Sequence, residues 1–363
     1  MAEQVGVMGA RYAVLQTNAK TGDVVTRLPV TGLSFTHTLN AAGTASVGIP
    51  LFAPEADPAV LSPGISGLVI TRDGAPVWGG IIWTASADIA AGTLTLGASG
   101  YHSHYKGRVF VNGWTARTVP QGDLLKSWFT YFNADNGIGT VFNDGIKDPT
   151  VKRTAVWTRY ELKNAGEAIE ELADNINGFN FRYMPYWVSQ GKKVGHTFIT
   201  TTRAGSSART LTHRVNADVT RVGYDSTALC TVAYATGADK GNGEKLVGIF
   251  ENTELAARMP ERVTVGTYQD VKETQTLIGK AQATVNAGSA PAAIPELTLY
   301  PGQYGPLDFT PGDYVAVDVD AGYVAFLDEF AVTECATTVD VNGTESIRLA
   351  LANKELFINA NPS

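Results

Sequence analysis

The sequence predicts a mixed β and α+β protein of several domains, with two separated antiparallel β-barrel-like modules flanking an α+β middle. Three observations carry this. The stretch Leu68 to Arg108 reads as three short strands joined by turns. A similar stretch recurs near the C-terminus, from Pro311 to Ala352. Between them lie segments whose apolar residues recur at helical spacing. A domain usually takes about 100–200 residues, so 363 residues suit several. The divisions are 1–112 for the first β module, 113–214 for the α+β middle, 215–294 for strands with an exposed loop and a helix, and 295–363 for the second β module with its tail.

Arg11 to Gln16 is a first strand, closed by a turn at Lys20-Thr21-Gly22-Asp23. Gly32 to Leu39 alternates, with Leu33, Phe35, His37 and Leu39 on one face. Ala45 to Ile49 is another strand, and Phe52 to Pro63, with three prolines, is a connection holding one helical turn. Leu68 to Thr71 then meets Asp73-Gly74, a pair that supplies the positive φ of a tight hairpin. Val77 to Thr84 follows, with Trp78, Gly80 and Ile82 on one face and Val77, Gly79, Ile81 and Trp83 on the other. Trp78 and Trp83 therefore point opposite ways: one belongs in the core, the other at a domain or subunit contact. Thr93 to Ser99 completes the module.

Gln121 to Asn133 carries Leu124, Leu125, Trp128, Phe129 and Phe132 as a helical core stripe, ended by Asp135-Asn136-Gly137. Asn164 to Ile176 is a second helix, with Asn164 as cap and Glu167 three residues on, as in a capping box. Phe179 to Met184 and Gly195 to Thr200 form a hairpin about Gly191-Lys192-Lys193. Val219 to Tyr224 and Cys230 to Ala235 are strands, Thr236 to Lys245 is an exposed polar loop, and Val271 to Ala287 is a third helix. Ala287 to Pro295 is a small-residue linker. Ile294 to Tyr300 leads into the second β module: Pro311-Gly312-Asp313, Tyr314 to Val319, Tyr323 to Thr333 and Glu345 to Ala352. Pro63-Gly64 stands at the matching point of the first copy.

Composition narrows the function. Charged residues are 17% of the chain, below the roughly 25% of ordinary soluble domains, which suits a surface that meets other protein. A net charge of −7 argues against a grip on nucleic acid through phosphates. No apolar run approaches the ~20 residues of a membrane span, and MAEQVGVMGAR shows no signal-peptide pattern. Cys230 and Cys335 make no disulfide framework and read as two buried thiols.

The chemistry-bearing patterns are incomplete. Gly97-Ala98-Ser99-Gly100 falls one residue short of a nucleophile elbow and sits in a hairpin. His102-x-His104 would place two imidazoles on one face of a strand, with no third metal ligand nearby. Asp318-x-Asp320-x-Gly322 lacks the glutamate that closes a calcium loop. Glu170-Glu171 and Asp328-Glu329 are adjacent, so their carboxylates diverge instead of facing each other. The expectation is no enzyme, no cofactor and no metal.

Val77-Trp78-Gly79-Gly80-Ile81, then Thr93 to Tyr101, then Lys106-Gly107-Arg108, resembles a pattern of the tail-hub proteins of tailed phages: a V-W-x-G-x-I strand, an apolar strand, a Gly-Tyr and an Arg. Ala168 to Ala173 followed by Gly178-Phe179-Asn180-Phe181 is similar to the family's helix-to-strand step, and Thr310-Pro311-Gly312-Asp313 to the start of its second barrel. A related fold occurs in the hub part of type VI secretion spikes. The resemblance spans about Val30 to Lys354 and leaves Gly137 to Val156 and Thr236 to Lys245 without a counterpart. It implies a structural virion protein: a homotrimeric baseplate hub at the tail tip, joining the sixfold tail tube to threefold tip or fibre proteins around a DNA channel. Implied partners are the distal tail or tube-ring proteins, the tape-measure protein C-terminus and receptor-binding tip proteins. DNA would pass without specific binding, and assembly would take place in the host cytoplasm. Trp78, Trp83, Tyr101 and Arg108 are the structural or interface candidates. The alternatives are a tail-associated cell-wall hydrolase and a glycan-binding module.

Overall fold

The computed structural model describes residues 10–353 apart from 135, 176, 204–206, 208, 242, 270, 290 and 291. The readings made for residues 1–9, Asp135, Ile176, Ala290-Pro291 and the tail from Lys354 lie outside the described residues.

The first module holds β1 (Tyr12–Asn18), β2 (Val24–Arg27), β3 (Gly32–Thr38), β4 (Thr44–Pro50), β5 (Ser66–Arg72), β6 (Ala75–Asp88) and β7 (Thr93–Gly100). The expected helical turn is a 3-10 turn at Pro54–Ala56. Asp73 and Gly74 both take positive φ, 51° and 83°, as a two-residue hairpin turn of this type requires. The short β2 pairs with β1 and has no alternating pattern long enough to announce it.

The middle holds α1 (His102–Lys106), β8 (Trp114–Pro120), α2 (Gln121–Ala134), β9 (Val141–Asn143), β10 (Lys152–Trp157), α3 (Ala165–Asp174), β11 (Asn180–Ser189) and β12 (Lys193–Thr201). The His102-x-His104 pair is thus on a helical turn and not on a strand. His102 and Tyr105, one turn apart, are its buried residues, which is helical spacing. In α2 the stripe from Leu124 to Phe132 is buried. The Asn164 side chain caps α3 by accepting from the Glu167 N–H. The stretch Gly137 to Val156 supplies β9, parallel to β12, and most of β10, antiparallel to β8.

The remainder holds β13 (Thr210–Thr212), β14 (Ala217–Asp225), β15 (Val232–Asp239), β16 (Lys245–Glu251), α4 (Thr253–Ala256), β17 (Val263–Thr267), α5 (Thr274–Ala287), β18 (Ala292–Leu299), β19 (Tyr314–Ala321), β20 (Val324–Val339) and β21 (Glu345–Asn353). The loop expected over Thr236 to Lys245 is shorter, because β15 continues to Asp239 before turning into β16.

Both β modules belong to one 13-stranded sheet, along the path β14-β18-β21-β20-β3-β4-β7-β6-β5-β1-β2. Among the described residues no sheet closes into a barrel. The physical reason is the β3–β20 ladder, which spends an edge of each module on joining the two. Among the described residues apolar burial falls into four clusters: one in the first module, one in the middle, one around β14 and β18–β21, and a small one between α5 and β15.

Candidate functional site

The large sheet contains a repeat. The order β3-β4-β7-β6-β5 matches β14-β18-β21-β20-β19, and every neighbouring pair in both runs is antiparallel. The match extends to residues. Against β7, β6 is irregular between Ile82 and Thr84; against β21, β20 is irregular between Val332 and Glu334. Aligning these bulges places Trp83 on Thr333 and Leu96 on Leu349. The next strands then agree, since Val47 faces Leu96 and Leu297 faces Leu349.

The two Pro-Gly steps also coincide. Gly64 (φ 80°) donates its N–H to Ile82 O at 2.7 Å, and Gly312 (φ 98°) donates to Val332 O at 2.8 Å. Each turns the chain at the point where β5 or β19 leaves its partner. Left-handed backbone there favours glycine. The copies differ at the outside, where β1 is antiparallel to β5 and β13 is parallel to β19.

The four candidate residues gather near the junction of the first module with the middle. Trp78 is 2% exposed in the first core, and its Nε1–H donates to Thr36 O at 3.0 Å. Trp83, at the bulge, is 44% exposed and donates to Ser103 Oγ at 2.9 Å. Tyr101 is buried, with its ring stacked on His196 at 3.8 Å between centroids. A Cβ at residue 79 would lie 2.5 Å from the Tyr101 hydroxyl, so Gly79 makes room for that ring. Arg108 stands over the Phe132 ring, 5.5 Å from its centroid.

Two histidines nearby, His102 and His196, make buried polar contacts. The Tyr105 hydroxyl donates to Thr140 Oγ1 at 2.6 Å, and Thr140 lies 2.7 Å from His196 Nε2. With the Thr140 hydroxyl turned to the imidazole, Nε2 is the acceptor and the ring is neutral. Burial, aided by His104, pulls the His196 pKa down to about 3. Burial and the Arg108 charge lower His104 to about 4. His102 contacts Tyr183 Oη at 3.2 Å and Glu170 Oε1 at 3.0 Å, and burial lowers its pKa despite that carboxylate.

Glu170 also pairs with Lys106, while Glu171 pairs with Lys163, so the adjacent glutamates serve different partners. Ser99 lies within β7 opposite Ile81, and Asp318 within β19 opposite Leu327. Among the described residues no three His, Cys, Asp or Glu side chains are grouped to hold a metal ion. Cys230 and Cys335 are free and buried. Three links from the middle to the β modules had no local signal in the sequence: Phe181 N–H to Asn40, Arg182 to Thr310 and Trp187 to Gly74 O. These contacts tie the middle to the β modules, and among the described residues the candidates above do not set a nucleophile beside a base and an orienting group.

No protein-family model and no curated protein matches the sequence. Solved structures do match. A tail protein from Neisseria meningitidis MC58 superposes with a TM-score of 0.60 at 14% identity, over 97% of this chain and 99% of that one. The 43 kDa tail protein of prophage MuSo2 from Shewanella oneidensis gives 0.59 at 14% identity, over 95% and 99%. The chain has the phage tail-protein fold. Prophage tail protein gp18 from Listeria monocytogenes EGD-e, at 0.56 and 12% identity over 93% and 94%, has it too. At these identities the likeness is one of fold, with few shared side chains. Near-complete coverage in both directions means that the middle domain and both β modules belong to it.

Proposed function

We propose that the chain is a structural virion protein, a homotrimeric hub at the distal end of a phage tail. The observation that carries this is the repeated strand order. A threefold protein can meet a sixfold tube only by presenting two like surfaces per chain, and β3-β4-β7-β6-β5 and β14-β18-β21-β20-β19 are such a pair. Three chains then set six sheet modules about one axis, a closed and self-limiting arrangement. The tail-protein fold supports the placement in a tail.

In this reading one side of the ring meets the distal tube proteins and the tape-measure C-terminus. The middle domain meets tip or receptor-binding proteins. DNA passes through the centre: three copies at −7 each carry −21, which repels the phosphate backbone instead of holding it. Trp83, exposed beside the β6 bulge, is assigned to a subunit contact. Light scattering on the purified chain should give three chain masses. A single chain mass at every concentration would contradict the hub reading. Zymography on bacterial cell wall should be blank; a clear band lost on His104→Ala would identify a hydrolase instead.

A further inference from the structure

The two copies of the repeat are used unequally within one chain. Beyond its bulge, β20 is covered on its outer side by β3: Glu334 faces Thr38, Cys335 faces His37, Ala336 faces Thr36, Thr337 faces Phe35 and Thr338 faces Ser34. Among the described residues, the equivalent half of β6, Thr84 to Asp88, pairs only with β7, and its residues are exposed. The strand equivalent to β3 is β14. It pairs with β18 and ends the sheet, so its other side carries no strand among the described residues.

We infer that β14 of one chain adds, antiparallel, to Thr84–Asp88 of β6 in a second copy, repeating between chains the β3–β20 joint made within each. This rests on the trimeric hub reading. The internal joint fixes the register. Ser34 faces Ser46, which faces Gly97; Arg221 faces Glu296, which faces Ala350. Gly97 and Ala350 are equivalent, because each stands opposite the first residue after its bulge, Thr84 or Glu334. Arg221 therefore takes the place of Ser34, and Asp88 that of Thr338. The intermolecular pairs are Asp88 with Arg221, Ala87 with Val222, Ser86 with Gly223, Ala85 with Tyr224 and Thr84 with Asp225.

Three features of the sequence suit this register, and the repeat did not require any of them. Asp88 meets a cation: Arg221 is 74% exposed and only 3.8 Å from its own-chain partner Glu296. Asp88 Oδ1 accepts the Ala91 N–H, which leaves the second oxygen for that cation. Ala85 and Ala87 lie beside buried Leu96 and Leu94, on the face turned to the core, and they would receive Tyr224 and Val222. Tyr224 is 45% exposed in the single chain. The polar or small residues Thr84, Ser86, Gly223 and Asp225 share the other face. A slip of one residue would set Asp88 against Val222 and invert both faces. The free edges also end together. His213 Nδ1 accepts the Val219 N–H at 3.1 Å, which closes the edge of β14 shortly before Arg221.

Each chain has one edge of each kind. The contact is head-to-tail, and in a ring every copy uses both edges. Open strand edges otherwise invite uncontrolled pairing. Trp83, next to Thr84, stands at the border of this joint and would be covered by it.

The test is the double variant Ser86→Cys/Gly223→Cys. Opposed strand residues have Cα atoms about 4.5–5.5 Å apart, within the reach of a disulfide. A Cβ at residue 223 meets only Ile294 O, at 4.0 Å, and the native cysteines are buried. Mild oxidation should yield covalent dimer and trimer on a non-reducing gel. Ser86→Cys/Val222→Cys, one residue out of register and on the opposite face, should yield none. As an independent readout, Asp88→Lys and Arg221→Glu should each lower the trimer fraction at fixed concentration, and the pair together should restore it. A trimer with no Ser86→Cys/Gly223→Cys cross-link and no charge-swap rescue overturns this joint and leaves the hub reading standing. Equal cross-linking in the slipped variant overturns the register. A monomer at every concentration overturns joint and hub together.

Discussion

In the dissociated single chain, Trp78→Ala should lower the free energy of unfolding by about 3–5 kcal/mol, the range for deleting a large buried aromatic, whereas Trp83→Ala, exposed until chains join, should change it by about 0.5 kcal/mol or less, as surface substitutions do. The two tryptophans share one strand, so strand propensity cannot separate them. Burial does: 2% exposed against 44%. Trp78 packs in the cluster that holds Phe35, Val47, Ile82 and Leu96. Truncation leaves a cavity bounded by strands paired on both sides, which collapse poorly. It also strips the half-buried Thr36 carbonyl of the indole N–H, and losing that bond adds its own cost. Urea titration followed by circular dichroism checks both variants. Equal midpoints for Trp78→Ala and Trp83→Ala would contradict the core assignment.

Stability should fall as pH drops from 6.5 toward 5, above the range where most carboxylates titrate. His196 is held near 3, and His37 and His104 near 4, each mainly by burial. In the unfolded chain these imidazoles return to about 6.5. A folded pKa below the unfolded one means that the unfolded state binds the proton first. The stabilisation is fully present above pH 6.5 and is lost as pH falls through the window down to the folded values. The limiting slope is about 1.4 kcal/mol per pH unit for each such histidine. His196 has the most to lose, because protonation places a second proton where Nε2 accepts from Thr140 and a charge beneath the stacked Tyr101 ring. His196→Gln, which cannot charge, should flatten the profile by about one histidine. Urea midpoints at pH 7, 6 and 5 test this; a profile equally flat in both proteins would contradict the neutral network.

Elements with their own local pattern were legible in the sequence. The Asp73-Gly74 hairpin, the stripe of α2, the Asn164 cap of α3 and the paired Pro-Gly steps each depend on residues close together in the chain. Short elements defined by partners were not. The five residues of α1 fit a strand or a helix until Tyr105 finds Thr140 and His102 finds Glu170. That no sheet closes into a barrel among the described residues was equally out of reach. Whether a sheet closes depends on edge pairing, and β3 meets β20 across some three hundred residues of chain. The Tyr101–His196 stack joins residues from separate segments and has no signature in either. Trp78 and Trp83 could be set on opposite faces by counting, but the bulge that leaves Trp83 without a partner on β7 appears only when β6 is laid against β7.

The hub account stands or falls on the symmetry of the assembled protein. End-on images by cryo-electron microscopy should show a threefold ring of six like lobes around an open channel, with neighbouring lobes related by a rotation near one sixth of a turn. Single chains alone, or a ring whose lobes are not two similar sheets per chain, would contradict it.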